Sequence, residues 1–317
     1  MDALTNILKA MRLSGGIYFR CELSGPWGMD IPQTPVAEFH VVTRGTCWMD
    51  VVGEALPVCL NAGDLVLFPH GHAHLLLDSL SAKAIPPEDI IGEQSIEHYG
   101  PVVYGQGDHQ ANILCGYFEF DRDEKSPLLQ ALPAFIHIKG TDATEFSWLQ
   151  TTINFISHEI RNTQPGTAAV VNRLVEVLFT QIIRAYIAQT QTPAGVLGAV
   201  ADAKLGLALN AMHQHPEYAW SIESLANKAG MSRTAFAQRF HTLVGQTPIN
   251  YLTRWRMQNA KKLLEISNIS MQAVAEQSGY QSEASFSKAF KKCMGVNPGA
   301  CRREAVSVDN SIKNIKS

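Results

Sequence analysis

The stretch SIESLANKAGMSRTAFAQRFHTLVG, residues 221–245, returns at residues 270–295 as SMQAVAEQSGYQSEASFSKAFKKCMG. Each copy opens on a serine that can accept the free N–H groups of a helix start, Ser221 and Ser270, and Glu223 sits in the first turn of the first copy. Each breaks at a glycine, Gly230 or Gly279, and restarts behind a second capping serine, Ser232 or Ser282. Ala226 and Ala275 are small enough for two short helices to cross steeply. The pairs Phe236/Phe240 and Phe286/Phe290, four residues apart, share one helix face and fill the space beneath. One such pattern is weak. Two in tandem, joined by the helical run YLTRWRMQNAKKLLEIS, predict two helix-turn-helix units with the phenylalanines as core.

Charge separates this region from the rest. The net charge of the chain is −3, but residues 1–205 carry −10, residues 206–304 carry +6 and the tail +1. A basic third on an acidic body predicts a polyanionic partner for that third. The tandem, with RWRMQNAKKLL and GYQSEASFSKAFKKCMGVNPGACRR, resembles the AraC/XylS family of transcription factors over residues 205–304. That resemblance implies double-stranded promoter DNA as partner, with the second helix of each unit in successive major-groove segments. Carried over by position, it implies base-facing roles for Arg233, Thr234, Ala237 and Gln238 in the first unit, and for Glu283, Ala284, Ser285 and Lys288 in the second. Arg239, Lys291 and Lys292 are placed for phosphates, which supply affinity rather than sequence choice. RNA polymerase and a second copy of the chain are the implied protein partners. Cys301 stands where the family commonly has an aromatic residue, a departure expected to change packing near the last helix.

Working outward, residues 17–120 read as short strands: IYFRCEL, AEFHVVTRG, TCWMDVVG, DLVLFP, HLLLDS and NILCGYFEF, punctuated by Gly, Pro, Asn and Asp. This spacing predicts a small antiparallel barrel or sandwich, with the polar stretch 81–110 as a loop at its mouth. From Glu145 the apolar period changes to three and four, predicting amphipathic helices in FSWLQTTINFISHEIRN and TAAVVNRLVEVLFTQIIRAYIAQT; QTPAGVLG reads as a linker. The expected class is α+β: an N-terminal β-barrel of jelly-roll type over 1–140, a helical connector and dimer surface over 141–200, an all-α tandem helix-turn-helix domain over 201–305, and a polar tail over 306–317.

The stretch GDLVLFPHGHAHLL, residues 63–76, raises a chemical question. His70, His72 and His74 alternate, and alternate residues of a strand share a face, as converging metal ligands must. Pro69 and Gly71 argue for a turn that breaks this alternation. Gly63, Pro69, Gly71 and His74 carry the spacing G-x5-P-x-G-x2-H, which resembles the second signature of cupin barrels. Phe39, His40 and Gly45 resemble a reduced first signature, which in metal-binding cupins holds two histidines and a glutamate. LPVCLNAGDLVLFPHGHAHLL, FRCELSGPWG, FHVVTRGTCWM and ILCGYFEFD further resemble the cupin sensor domains of one branch of the same regulator family. The resemblance implies His74 as the signature ligand and His40 as its partner, with His72, His98 and His109 as third-donor candidates, for a divalent metal or a small-molecule effector. Some regulators of this branch respond to oxidants, which makes Cys21 and Cys115 candidate redox sensors if a low-pKa thiol is accessible.

Bulk properties agree. At 317 residues two domains are expected, and 46% apolar with 17% charged residues describes an ordinary globular chain rather than a disordered one. No window of about 18 apolar residues occurs, and MDALTNILKAMRLSGG places Asp2, Lys9 and Arg12 among its apolar residues, so neither a membrane span nor a signal peptide is expected. Six cysteines without CxxC spacing argue against a zinc ribbon and for a reducing, cytoplasmic compartment. The expected function is a transcription regulator that senses a small molecule, metal or oxidant, with no catalytic residues. The alternative is a cupin metalloenzyme, a dioxygenase or isomerase fused to a DNA-binding module.

Overall fold

The structure is a computed structural model that describes residues 2–92, 101–120, 126–141, 147–190, 193–266 and 269–303. It divides into two units, Met11–Thr192 and Met1–Ala10 with Pro193–Ser317.

Among the described residues the first unit holds ten strands: β1 (Ser14–Ser24), β2 (Gly28–Ile31), β3 (Ala37–Arg44), β4 (Thr46–Val51), β5 (Val58–Asn61), β6 (Leu65–Phe68), β7 (His74–Leu77), β8 (Pro101–Tyr104), β9 (Gln110–Glu119) and β10 (Ile136–Ile138). They form a six-stranded sheet in the order β10-β6-β3-β9-β1-β8 and a four-stranded sheet in the order β2-β7-β4-β5. The expected barrel is therefore a jelly-roll-like sandwich with open edges. The six strands read from the sequence are β1, β3, β4, β6, β7 and β9; β2, β5, β8 and β10, each of four residues or fewer, are not among them. Alternation along each strand sends Leu23, Met29, Val42, Met49, Phe68, Leu76 and Ile113 into a shared interior.

Two short helices, α2 (Pro87–Ile91) and α3 (Pro127–Gln130), lie in the connections. The predicted connector helices are α4 (Ser147–Arg161) and α5 (Thr167–Gln189). They belong to the β-unit, where Phe179 of α5 packs edge-on against Phe118 of β9, centroids 5.0 Å apart.

The second unit is all-helical: α1 (Ala3–Ala10), α6 (Gly195–Ala201), α7 (Leu205–Gln214), α8 (Ile222–Lys228), α9 (Arg233–Val244), α10 (Pro248–Ile266), α11 (Met271–Gln277) and α12 (Glu283–Met294). Residues 3–10 thus fold here, not with the strands of the expected 1–140 domain. Helix α1 packs on α7, and Asn6 Nδ2 donates to Asn210 Oδ1 at 3.3 Å. The expected linker QTPAGVLG also contains a helix, α6. Its Val196, Leu197 and Ala199 are buried, and it packs on α9. Gly198 permits this, since a Cβ there would lie 2.2 Å from the Pro193 carbonyl oxygen. Tertiary burial has overridden the weak local helix preference of a Gly-rich segment. Among the described residues no single helix is long and apolar enough to cross a membrane.

Candidate effector centre and nucleic-acid interface

Strand β3 lies inside the larger sheet, between β6 and β9, and its alternation turns Glu38 and His40 to the same face. His40 pairs in register with Cys115 on β9 and Val66 on β6. His74 opens β7 in the opposite sheet, in register with Ile31 and Val51. The turn between β6 and β7 brings it there. Gly71 adopts φ +60° and donates its N–H to Phe68 O at 3.1 Å, while its own carbonyl accepts from Thr34 N at 2.9 Å. A Cβ at this position would lie 2.2 Å from Thr34 O and 2.5 Å from Val36 O, so glycine is required. The returning chain stacks the His74 ring on Phe68, centroids 3.7 Å apart.

Between the sheets the two imidazoles meet, His40 Nε2 to His74 Nε2 at 2.8 Å. The proton order follows from the neighbours. His72 O can only accept, so His74 Nδ1, 2.8 Å away, carries a proton and donates it. His74 Nε2 is then the acceptor for His40 Nε2–H, and His40 Nδ1 accepts from the Cys115 thiol at 3.3 Å. Burial pushes both histidines down, His74 to about 4 and His40 well below its usual value with His74 adding to the effect, so both rings are neutral at pH 7.

Glu38 completes the cluster. A carboxylate oxygen of Glu38 and one ring nitrogen from each histidine lie within 4.8 Å of one another, all three residues buried. Burial pushes the Glu38 carboxyl up to about 7 against the opposing Thr34 hydrogen bond, and its Oε2 has no hydrogen-bond partner. Two imidazoles and one orphaned carboxylate suit zinc or ferrous iron. The fit needs one adjustment. Two nitrogens on a tetrahedral ion lie about 3.3 Å apart, so the 2.8 Å contact must open by about half an ångström.

The third donor is thus Glu38, which the sequence reading passed over although it stands two residues from His40 in AEFHVV; strand alternation was the signal available. His72 contributes its carbonyl, while its ring Nδ1 is buried without a partner. His70 Nε2 lies 3.2 Å from Leu132 O, and His109 Nε2 lies 3.3 Å from Thr46 Oγ1 at an exposed site. His98 and the tail 306–317 lie outside the described residues. The cysteines differ from the expected accessible, acidic thiol. Cys21 and Cys115 are 1% and 3% exposed, and a hydrogen bond to Cys21, with burial, pushes Cys115 well above its usual value. The exposed cysteine is Cys59.

In the helical unit, Ser232 caps α9 by accepting from Ala235 N at 3.3 Å, and Ser282 caps α12 by accepting from Ser285 N at 3.3 Å. Phe236, Phe240, Phe286 and Phe290 are fully buried. Their burial turns the opposite faces outward: Arg233, Thr234 and Gln238 on α9, and Glu283, Ala284, Ser285, Lys288, Lys291 and Lys292 on α12, are exposed, while Ala237 is half-buried. Two residues are engaged locally. The Ser285 hydroxyl donates to Ser282 O at 2.9 Å within the cap, and Arg239 forms an ion pair with Asp202.

Sequence reasoning missed Arg256 on α10, which donates to Pro216 O and to Tyr218 O (2.8 Å for the latter) and lies over the Tyr280 ring. These contacts tie the second turn to the loop before α8. Gly279, with φ +78°, leaves the guanidinium its space. Cys301 is buried with Met257, Leu264 and Phe290, so the smaller side chain is absorbed into the second unit's core.

Comparison with known proteins bears on both halves. The cupin family pattern matches residues 2–188, and a helix-turn-helix domain pattern matches 225–304. The chain is 31% identical to the HTH-type transcriptional regulator AlkR of Acinetobacter baylyi, over 96% of this chain and 100% of that one. It is 30% identical to the HTH-type transcriptional regulator MtrA of Neisseria gonorrhoeae over 96% and 99%, and 29% identical to the RCS-specific HTH-type transcriptional activator RclR of Escherichia coli over 95% and 97%. Among solved structures, the DNA-binding domain of AdpA in complex with a target DNA is 32% identical over 32% of this chain and 92% of that one, with a TM-score of 0.31.

Proposed function

Because the chain belongs to the AraC-like family of helix-turn-helix transcriptional regulators and carries an N-terminal cupin domain, we propose that the β-sandwich senses a signal at the Glu38–His40–His74 centre and alters how the helical unit binds promoter DNA. The observation that carries this reading is the buried, orphaned Glu38 carboxylate beside two neutral imidazoles bridging two sheets. An ion held there would take the place of the His40 Nε2 proton, which would move to His40 Nδ1 and be donated to Cys115 Sγ, and would link β3 to β7. Metal coordination releases the Glu38 proton, so affinity rises with pH through about 7. All three donors are less than a tenth exposed, which favours a sensing or structural ion over a catalytic one that a substrate must reach.

The base-facing set is Arg233, Thr234, Ala237 and Gln238 on α9, with Glu283, Ala284, Ser285 and Lys288 on α12; Lys291 and Lys292 meet phosphates. Exposure of these side chains above a phenylalanine core supports the assignment. The exposed apolar residues Phe155, Val170 and Val177 on α4 and α5 support homodimerisation through the connector. RNA polymerase is the further partner, the cytoplasm the compartment, and transcriptional control without catalysis the activity.

The test uses full-length protein and DNA from its own locus. Zinc or ferrous ion added to chelated protein shifts DNA affinity in the parent and not in Glu38→Gln or His74→Ala, while DNA binding itself persists. A parent that binds neither ion, or variants that respond as the parent does, overturn the sensing centre.

A further inference from the structure

The outer face of the six-stranded sheet carries a second site. Arg20 and Glu22 of β1 lie in register with Leu114 and Asn112 of β9, and Val41 lies beside Leu114 on β3. Alternation turns these residues away from the interior that holds His40. Across a gap, helix α4 presents Gln150, Asn154, Ser157 and Arg161, which recur at steps of four, three and four and so form one stripe. The sheet and the stripe enclose an open-sided cavity of about 180 Å³.

Its lining is chemically divided. Val41, Leu114 and Ile153 supply an apolar floor, while Asn112, Gln150, Asn154, Ser157 and Thr43 supply amides and hydroxyls. Two guanidinium groups, Arg20 and Arg161, and one carboxylate, Glu22, stand at the wall, so the lining keeps a net positive charge. Arg20 has its Nε buried without a hydrogen-bond partner, and its only ion pair among the described residues is a loose one to Glu22 at 3.6 Å. Arg161 is exposed at the end of α4 and has no ion pair among the described residues. A buried guanidinium N–H without an acceptor is costly, and a carboxylate is the group whose two oxygens match that fork. The polar lining would meet hydroxyl or carbonyl groups on the same molecule, and the apolar floor a short aliphatic body.

The geometry points to a binding site for a small organic carboxylate, a hydroxy acid or dicarboxylic acid of a few carbons, between the outer face of β1, β3 and β9 and helix α4. This site is separate from the Glu38–His40–His74 centre, which lies on the opposite face of the same sheet. A bound carboxylate bridges Arg20 on the sheet and Arg161 on the helix, and so fixes α4 against β1. The proposal rests on the sensor reading only for its effect on transcription; binding itself is independent of it.

Ligand-observed NMR on the chelated full-length protein, with 3-hydroxybutyrate, succinate, acetate and inorganic phosphate as probes, tests it. At least one of the two larger carboxylates binds, and Arg161→Gln weakens it about tenfold, the loss of one charge-assisted contact. Arg20→Lys, which keeps the charge and loses the fork, weakens it as well. Because Arg161 is exposed, its replacement leaves the fold intact and keeps the test valid if Arg20 variants fail to fold. Binding by phosphate alone, by no carboxylate, or with unchanged affinity in Arg161→Gln overturns the proposal. Carboxylate binding without any change in DNA affinity leaves this site standing and counts against its role in sensing.

Discussion

Replacing Asp202 by asparagine tests what Arg239 does. Asp202 stands between α6 and α7, where its Oδ1 accepts from Lys204 N and Leu205 N, both at 2.9 Å, and its Oδ2 pairs with Arg239 of the first recognition helix. Burial would raise its pKa, but those two amides and the Arg239 guanidinium outweigh it and hold the carboxyl below its usual range. Asparagine keeps an oxygen for the two amides and removes the charge. Arg239 is 53% exposed, so the pair is worth at most about 1 kcal/mol after solvent screening. If Arg239 must leave Asp202 to reach a phosphate, the substitution removes that cost and tightens DNA binding about two- to fivefold. If it reaches the phosphate only when released, the log–log salt slope also steepens by about 0.9. Fluorescence anisotropy across a salt series reads both quantities, with Arg239→Gln as the comparison expected to bind more weakly. Unchanged affinity and slope in both variants would refute the reasoning and leave Arg239 as a positioning residue that fastens α9 to α7.

Other substitutions probe the two cores. Phe286→Ala should destabilise the helical unit by about 3–5 kcal/mol, read by thermal melting, because a fully buried ring leaves a cavity beneath α12; a loss under about 1 kcal/mol would place that ring outside the core. Gly71→Ala should cost the β-unit about 2 kcal/mol or more, from positive φ and two backbone oxygens, and should weaken metal uptake by shifting His74; wild-type melting would contradict the turn geometry. His213 is buried, bonded to Tyr251 OH at 2.8 Å and pushed down to about 3 by burial, against the opposing pull of the nearby Ala3 backbone. Its unfolded value is near 6.5, so the unfolded chain binds the extra proton: stability is full above about 6.5 and falls by up to about 1.4 kcal/mol per pH unit toward 3. His213→Gln should flatten that part of the profile, and an unchanged profile would show that other groups carry it.

The helix-turn-helix tandem was legible because its signals are local. A capping serine, a glycine at the turn and two phenylalanines four residues apart each act within one or two helical turns, so Ser232, Gly230, Phe236 and Phe240 announce the unit without knowledge of anything distant. The cupin turn was legible for the same reason: Gly71 has no alternative to glycine, and Pro69 and His74 keep fixed offsets from it. Long-range pairing decided the rest. That Glu38 rather than His72 stands with His40 and His74 depends on two sheets stacking so that β3 faces β7. That Asp202 holds Arg239, and that residues 3–10 pack on α7, depends on contacts across tens to hundreds of residues. The segment around Gly198 is helical only because its apolar side chains are buried against α9. Periodicity reports which face of an element is apolar; it carries no information about which distant element will cover that face, and the chemistry of the interior centre is set by that partner.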